Sequence, residues 1–397
     1  MTIIAEIGTS HEGSLEKAFK LIDTAAEAGA DFIKFQWVYA DEILHPKTGF
    51  VKLPTGNIPL YQRFKDLEVD RSFYEKCIDY THKKGLKFTC SPFGLRSLKE
   101  LLSCDIDAVK IASPEVNHFP MLQELSKVYG KIPVILSSGV SKLSDLEKAI
   151  DILTQNKHIS CSGEIPPLTL LHCITSYPAP ENEYNVKAVK TLHEIFGIPT
   201  GISDHSLDPV LVPVLTTMMG GSMIEKHITL SRKTEGLDDP VALEGEDFAL
   251  MTHCVHQTQA LLHKWAKEES AMFQNSELNG EKADKLRILS ESAEKEIIKQ
   301  LEEKYPLSKI QAVLGTGVKR LADSEKQNYG RTNRSLHYMK SFPKGHKIQE
   351  EDISILRTEK VLTPGISPLY YEMLKGAVLT RDVEDGEGVQ LEDFISR

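Results

Sequence analysis

The sequence has no two cysteines at CxxC spacing, so a thiolate zinc site has no foothold in it. Its six cysteines (Cys77, Cys90, Cys104, Cys161, Cys173 and Cys254) are scattered over 397 residues, the pattern of reduced, mostly buried thiols in a cytoplasmic protein. A surplus of positive charge is missing as well: 47 Lys and Arg stand against 57 Asp and Glu, a formal net charge of -10. Binding to DNA or RNA rests on clustered cations that release counterions, so nucleic acid is not an expected partner. A small anionic substrate is not excluded, because a few placed cations overcome a weak global field. Long apolar runs are lacking. The uncharged stretch Pro209–Ile224 is too short to span a bilayer, and the opening residues meet Glu6 before any signal-peptide core can form. No GxGxxG phosphate turn occurs.

What the sequence does have is rhythm. Short β-branched apolar runs alternate with amphipathic segments of helical period. The strand candidates are Ile3–Ile7, Phe32–Phe35, Lys87–Cys90, Ala108–Ile111, Val134–Leu136, Leu168–His172, Thr200–Ile202 and Met223–Glu225. Helices are expected from near Ser14, Arg71, Leu95, Phe119, Ser141, Asn185, Asp208 and Glu246, several with N-cap residues. Eight such units within residues 1–266 predict an α/β chain folded as a (β/α)8 TIM barrel. Residues 267–333 are rich in charge and helix formers and read as a solvated helical linker or insertion. Residues 334–397 contain a repeat, LysGlyHisLysIleGlnGluGluAspIle at 344–353 and AspGlyGluGlyValGlnLeuGluAspPhe at 385–394, which predicts a small pseudo-symmetric β-rich domain.

In a TIM barrel the chemistry lies at the C-terminal ends of the strands. Polar residues crowd there: Glu12, Lys34, Gln36, Ser91, Lys110, Ser113, Glu115, Ser137, His172, Ser203, His205 and His227. Lysines and histidines ending apolar runs are costly unless partnered. Lys34 and Lys110 stand in matching contexts, AspPheIleLysPhe and AspAlaValLysIle. With the nearby serines they suit a ligand bearing phosphate and carboxylate; a Schiff-base lysine is the competing reading. His205 and His227 end adjacent strands. Either alone is as readily a satisfied core histidine, but together they suit an octahedral divalent ion such as Mn²⁺. Glu12 and Asp238 read equally as an acid, base or hydroxyl acceptor or as loop carboxylates.

These segments resemble the sialic acid synthase family: AlaGluIleGly…HisGluGlySerLeu…PheIleLysPheGln (5–36), SerProPhe (91–93), LysIleAlaSerProGlu (110–115), IleLeuSerSerGly (135–139), LeuLeuHisCys…TyrPro (170–178), GlyIleSerAspHisSer (201–206) and GluLysHisIleThr (225–229), in order. The C-terminal repeat resembles that family's antifreeze-like SAF domain. The resemblance implies a transferase that condenses phosphoenolpyruvate with an N-acylmannosamine-type sugar, releasing phosphate and forming N-acetylneuraminate or a related nonulosonic acid. It implies a divalent metal, Mn²⁺ with Mg²⁺ or Co²⁺ as alternatives, held by His205 and His227. Phosphoenolpyruvate falls to Lys34, Lys110, Ser113, Ser137, Ser203 and His227. The sugar and reacting groups fall to Glu12, Gln36, Ser91, Phe93, Thr175, Tyr177 and Asp238. Glu115 is the favoured proton-handling carboxylate. The family further implies a domain-swapped homodimer in which Arg357 reaches the partner's barrel. Three departures stand out: Thr9–Ser10 and Thr175 replace an Asn in two loops, and the loop after Arg357 is longer (358–365). They open the alternative of a 6-deoxy diacetamido sugar, as in legionaminic or pseudaminic acid synthesis. A barrel condensing phosphoenolpyruvate with a phosphorylated aldose would need an Arg cluster that the loops lack. A decayed, carbohydrate-binding barrel should have lost some of Lys34, Lys110, His205 and His227, and none is missing.

Overall fold

A computed structural model of the protein describes residues 1–53, 56–155, 166–234, 236–273 and 292–395. The strands are β1 (Thr2–Gly8), β2 (Phe32–Trp37), β3 (Phe50–Leu53), β4 (Gly56–Pro59), β5 (Lys87–Pro92), β6 (Ala108–Ile111), β7 (Val134–Ser137), β8 (Leu168–Cys173), β9 (Thr200–Asp204), β10 (Met223–His227), β11 (Arg334–Tyr338) and β12 (Ile353–Arg357). Eight of them close into a parallel barrel in the order β1-β10-β9-β8-β7-β6-β5-β2. The expected (β/α)8 barrel is therefore present, and each expected strand lies within an observed one.

Strand period two explains what fills the barrel. Ile4, Phe32, Ala108, Ile135, Leu171 and Met223 form an apolar layer inside it. Two residues further along the same strands come Glu6, Lys34, Lys110, Ser137, Cys173 and Glu225. Because alternate side chains share a face, a strand that puts an apolar residue in the lower layer must put these polar ones in the layer above. The helices cover the outside. Leu15–Glu27 buries Ala18, Leu21, Ile22 and Ala25, and Ser14 caps it by accepting from the Lys17 N–H at 3.2 Å.

Two features were not foreseen. The β3–β4 hairpin and the short helices Ala40–Ile43 and Leu60–Lys65 occupy the connection after β2. The linker is not simply solvated: Ile297, Leu301, Tyr305, Ile310, Val313 and Leu314 join the main core. Those apolar residues recur at helical spacing among many charges, so composition alone hid them. The five described cysteines are free; Cys161 lies outside the described residues.

The C-terminal domain has its own core, with Leu336, Tyr338, Ile348, Ile353, Leu374, Leu379, Val383 and Val389 buried. Its repeat is visible in detail. Asp352 accepts from the Gln349 N–H at 2.8 Å, and Asp393 accepts from the Gln390 N–H at 2.7 Å. The two equivalent aspartates thus close equivalent turns.

The C-terminal domain is anchored by many contacts. It packs on the barrel of its own chain. Arg334 is fully buried there, its guanidinium on Glu115 and on the carbonyls of Glu42, Ile43, Phe93 and Ile355. Asn117 pairs with the Arg334 backbone in both directions, at 2.8 and 3.0 Å. Lys47 meets Asp385 at 2.8 Å and Thr48 donates to the Thr358 carbonyl at 2.9 Å. The segment 315–333 is described throughout and bonds to both domains, which lets one chain carry its own cap.

Candidate active site

The polar upper layer of the barrel lines a narrow well of about 60 Å³, walled by Glu6, Lys34, Ser91, Lys110, Ser113, Ser137, Ser203, His205, Glu225 and His227 among others. Lys34 pairs with Glu6 at 2.7 Å and approaches Glu225 at 3.7 Å. Lys110 donates to Ser137 Oγ at 2.6 Å and lies 3.7 Å from Glu225. Burial works against both charges, but the outcomes differ. Glu225 and Glu6 overcome it at Lys34 and raise its pKa above the ordinary lysine value. Burial prevails at Lys110, whose closest polar partner is a neutral hydroxyl, and its pKa is lowered. Ser203 donates to Glu225 at 2.9 Å, and Gln36 donates to Glu6 at 2.8 Å.

Several buried polar atoms of this layer have no hydrogen-bond partner: Glu6 Oε2, Ser91 Oγ, Thr175 Oγ1 and Glu225 Oε2. Buried orphans are costly, and their concentration in one well marks a place built for a polar ligand.

Above the well opens a wider cavity of about 380 Å³. It shares Gln36, Phe93, Ala112, Pro114, Thr175 and Tyr177 with the well and adds Thr9, Phe64, Leu67, Leu237, Asp238 and Arg357. One wall is apolar, continuous with a small core of Leu44, Leu60, Leu67 and Phe93. The Arg357 guanidinium lies 5.3 Å from the Phe93 ring centroid.

The two imidazoles stand beside the well with ring centroids 5.5 Å apart. His205 Nδ1 is 2.8 Å from the Ile174 carbonyl, which assigns the proton to Nδ1 and leaves the Nε2 lone pair free. Tyr177 stacks on the same ring at 4.2 Å. Burial lowers the His227 pKa against the pull of Asp238, whose carboxylate lies 3.9 Å away. His227 is thereby held toward the neutral form that a divalent cation requires, whereas at His205 burial is outweighed by Cys173, the Ile174 carbonyl and Glu225, which raise the pKa. Among the described residues no cluster of three or more His, Cys, Asp or Glu is arranged to hold a metal. The donor set fits a two-imidazole half-site whose other positions are left to water and substrate oxygens.

The structure brings together Lys34, Gln36, Ser91, Phe93, Lys110, Ser113, Ser137, Thr175, Tyr177, Ser203, His205, His227, Asp238 and Arg357. It does not bring in Glu12, which is exposed and paired with Lys17 at 2.9 Å. Glu115 lines neither cavity. Its carboxylate is fully buried, one oxygen on Arg334 and the other on Arg357 at 2.5 Å. Burial raises its pKa, but the two guanidinium groups outweigh this and hold it below the usual carboxylate range. A carboxylate locked in the charged form with both oxygens engaged is an anchor and a poor carrier of protons.

Three buried polar residues in or around the site escaped the sequence reading. Glu6 had a signal, a carboxylate inside an apolar strand at the same layer position as Lys34. Lys319 and Glu325 had none, because they lie in the charged linker. Glu325 is buried; one oxygen accepts from the N–H groups of Val140 and Thr175, both at 2.7 Å, and the other from Ala322 at 3.1 Å. It thereby ties the loops after β7 and β8 together. Between those loops, a Cβ on Gly139 would lie 2.1 Å from Thr175 Oγ1, so any larger residue would displace that hydroxyl.

Fold and site together define an enzyme: a (β/α)8 barrel whose polar mouth is covered by a small C-terminal SAF domain. The chain belongs to the NeuB family, whose model matches residues 21–267, and the SAF domain model matches residues 333–395. It is 32% identical over 272 residues to the N,N'-diacetyllegionaminic acid synthase of Legionella pneumophila, covering 68% of this chain and 75% of that protein. It is 28% identical over 389 residues to the enzyme of the same name from Campylobacter jejuni, covering 97% of each. The solved structure of the spore coat polysaccharide biosynthesis protein SpsE from Bacillus subtilis superposes with a TM-score of 0.76 at 25% identity, covering 100% of this chain and 95% of that one. No helix among the described residues is long and apolar enough to cross a membrane.

Proposed function

We propose that the protein is a nonulosonic acid synthase that condenses phosphoenolpyruvate with the open-chain aldehyde of an N-acylated amino sugar. The observation that carries this reading is the well itself. Two buried lysines and four serines converge on one narrow polar space beside a wider, partly apolar one. The narrow space suits phosphoenolpyruvate, whose phosphate and carboxylate need several compact donors. The wide one suits a sugar.

A divalent metal, Mn²⁺ as the first expectation, would be held by His205 and His227 and would supply Lewis-acid polarisation of the aldehyde oxygen. The chain's own groups do the rest. Lys34, Lys110, Ser113, Ser137 and Ser203 grip the enol ester so that its C3 faces the aldehyde. The C3–C1 bond forms, water adds at C2, and phosphate leaves with cleavage of the C–O bond. Glu6, whose buried Oε2 has no hydrogen-bond partner, is the candidate to hold the proton given up by that water; Glu225, held well below the usual carboxylate range by Lys110 and Lys34, stays charged and orients the two lysines. The cap and the apolar wall limit the entry of bulk water.

N-acetylmannosamine-type acceptors are the first reading. A 6-deoxy diacetamido acceptor is the second, and the apolar wall of Phe64, Leu67, Phe93 and Leu237 favours it. Such a wall has no hydrogen bond for a C6 hydroxyl but buries a methyl or acetyl group. The names of the two relatives above agree with that reading. A homodimer is the proposed assembly, with the cap seated either on its own barrel, as in this single chain, or exchanged onto the partner's.

The test is phosphate release from phosphoenolpyruvate across a panel of N-acyl and di-N-acyl hexosamines, with product masses read out. A product equal to acceptor plus pyruvate is expected. Loss of phosphate without that mass gain would remove the condensation.

A further inference from the structure

We propose that a second ligand site, for a sugar-sized polyol carrying an oxyanion, lies outside the barrel against β8 under the linker segment 315–326. A cavity of about 690 Å³ opens there, and its lining includes His172, Asn182, Lys319 and Arg320. It shares no lining residue with the well or the wider cavity. Strand period two separates them: Cys173 faces the well, so its neighbour His172 faces the other way.

Two buried groups in this cavity have bonding capacity left over. Lys319 is 7% exposed, and its ammonium makes one hydrogen bond among the described residues, to the Ser138 carbonyl at 2.8 Å. An ammonium carries three donors, and a buried cation left with one neutral partner is costly. His172 is 3% exposed; Nε2 lies 2.7 Å from the Tyr184 carbonyl and must donate to it. Nδ1 is then a bare acceptor, and it has no partner. No carboxylate in the lining makes a direct ion pair with Lys319: Glu325 acts on it only through space, and the oxygens of all three are engaged elsewhere. Glu183 accepts from Ser324, Asp323 pairs with Lys326 at 2.5 Å, and Glu325 accepts the three backbone N–H groups already described.

Those leftovers specify a ligand. Lys319, with exposed Arg320 at the rim, calls for an oxyanion. The His172 lone pair calls for a donor that is not itself a cation, because Lys319 stands close; a hydroxyl meets that need. The cavity volume is ample for a phosphorylated or carboxylated monosaccharide. The same lysine holds the carbonyl of Ser138, next to Ser137, which accepts from Lys110. A ligand that draws on Lys319 therefore pulls on the strand end that carries the well's serine.

The experiment is isothermal titration calorimetry of the full-length protein with glucose 6-phosphate and, separately, gluconate. The two arms tell a phosphate-selective site from a carboxylate-selective one. At least one probe should bind with one site per chain. Affinity should fall by about tenfold or more in Lys319→Gln, the loss typical of a hydrogen bond to a charged group. Arg320→Ala, a surface change that should not disturb folding, should weaken binding by a smaller factor. Lys34→Ala, in the well, should leave it intact. If neither probe binds at 10 mM, a working ceiling of roughly millimolar affinity, the site does not exist as described. Binding that survives Lys319→Gln and Arg320→Ala, or disappears in Lys34→Ala, would assign the ligand to the barrel mouth and overturn the proposal. The outcome is separate from the condensation activity, which this titration does not measure.

Discussion

Arg357 and Glu115 are 242 positions apart, yet the guanidinium of one lies 2.5 Å from the carboxylate of the other within a single chain. The contact joins the last residue of β12 to the turn after β6 and carries Arg357 to the edge of the sugar-sized cavity. Arg334 holds the opposite oxygen of the same carboxylate. One buried anion thus fixes two arginines of the C-terminal domain over the barrel mouth.

A site completed in one chain makes a sharp prediction for mixing. Arg357→Ala and Lys34→Ala each damage a different part of the same site. If every chain carries its own cap, a mixture of the two inactive proteins regains no activity. Phosphate release from phosphoenolpyruvate, with subunit exchange confirmed by mass labelling, is the measurement. Activity rising toward one quarter of wild type, the share of one intact site in the roughly random pairing of two chains, would show that the cap is exchanged.

The Glu115 anchor can be probed directly. Replacing it with Gln leaves two arginines, one of them fully buried, without their counter-charge. Breaking a buried pair from one side costs about 3–5 kcal/mol. We expect Glu115→Gln to lower the unfolding free energy by roughly that amount in urea. It should also raise the protease sensitivity of the C-terminal domain. A loss under about 1 kcal/mol, the value of an exposed pair, would remove the anchoring role.

How much of this was legible in the sequence follows from the range of the interactions. Strand period and strand-end chemistry are local, so the barrel, both lysines and both histidines could be read directly. Glu12 was misplaced because a carboxylate in a loop gives no sign of where it turns; here it turns to Lys17. Glu115 was given a proton-handling role because nothing local betrays two arginines more than 200 residues away. Lys319 and Glu325 were lost in a charged segment whose composition resembles a solvated linker. The cap's placement on its own barrel depends on contacts such as Asn117 with Arg334, which no spacing rule anticipates.

Stability should fall in mild acid. Burial lowers the pKa of His11 to about 4, of His118 to about 3, of His172 to about 3 and of His337 to about 4. In the unfolded chain these imidazoles return to about 6.5. Between that value and the folded ones the unfolded state binds more protons, so stability drops as pH falls through the window. Each histidine contributes up to about 1.4 kcal/mol per pH unit. Urea unfolding at pH 7 and pH 5 should show a clear loss, and His337→Gln should flatten the slope by about one proton. Equal stability at the two pH values would contradict the buried neutral histidines.

Metal removal tests the imidazole pair. His205 is already oriented by the Ile174 carbonyl, so the apo protein should stay folded while losing activity. Dialysis against EDTA should abolish phosphate release, and Mn²⁺ should restore it. Direct Mn²⁺ binding should show one ion per chain and be weakened by His205→Ala. Full turnover in chelator would leave the two histidines without a metal role.

Glu325 offers the finest test of the linker's part in the site. It touches no proposed substrate atom, yet it fixes the backbone at Val140 and Thr175, on either side of Gly139. Glu325→Ala orphans three buried or partly buried N–H groups, each costing about 1–3 kcal/mol. Glu325→Gln keeps one oxygen for Val140 and Thr175 and loses only the acceptor for Ala322. A purely structural role would lower the amount of folded enzyme and leave KM unchanged. A positioning role moves KM for the sugar, because Thr175 lines the sugar-sized cavity, and spares KM for phosphoenolpyruvate. We expect Glu325→Ala to raise the sugar KM by about tenfold, the effect of misplacing one hydrogen-bonding group, and Glu325→Gln to recover most of it. Unchanged KM values, or no recovery in the Gln variant, would reduce Glu325 to a fold-stabilising carboxylate.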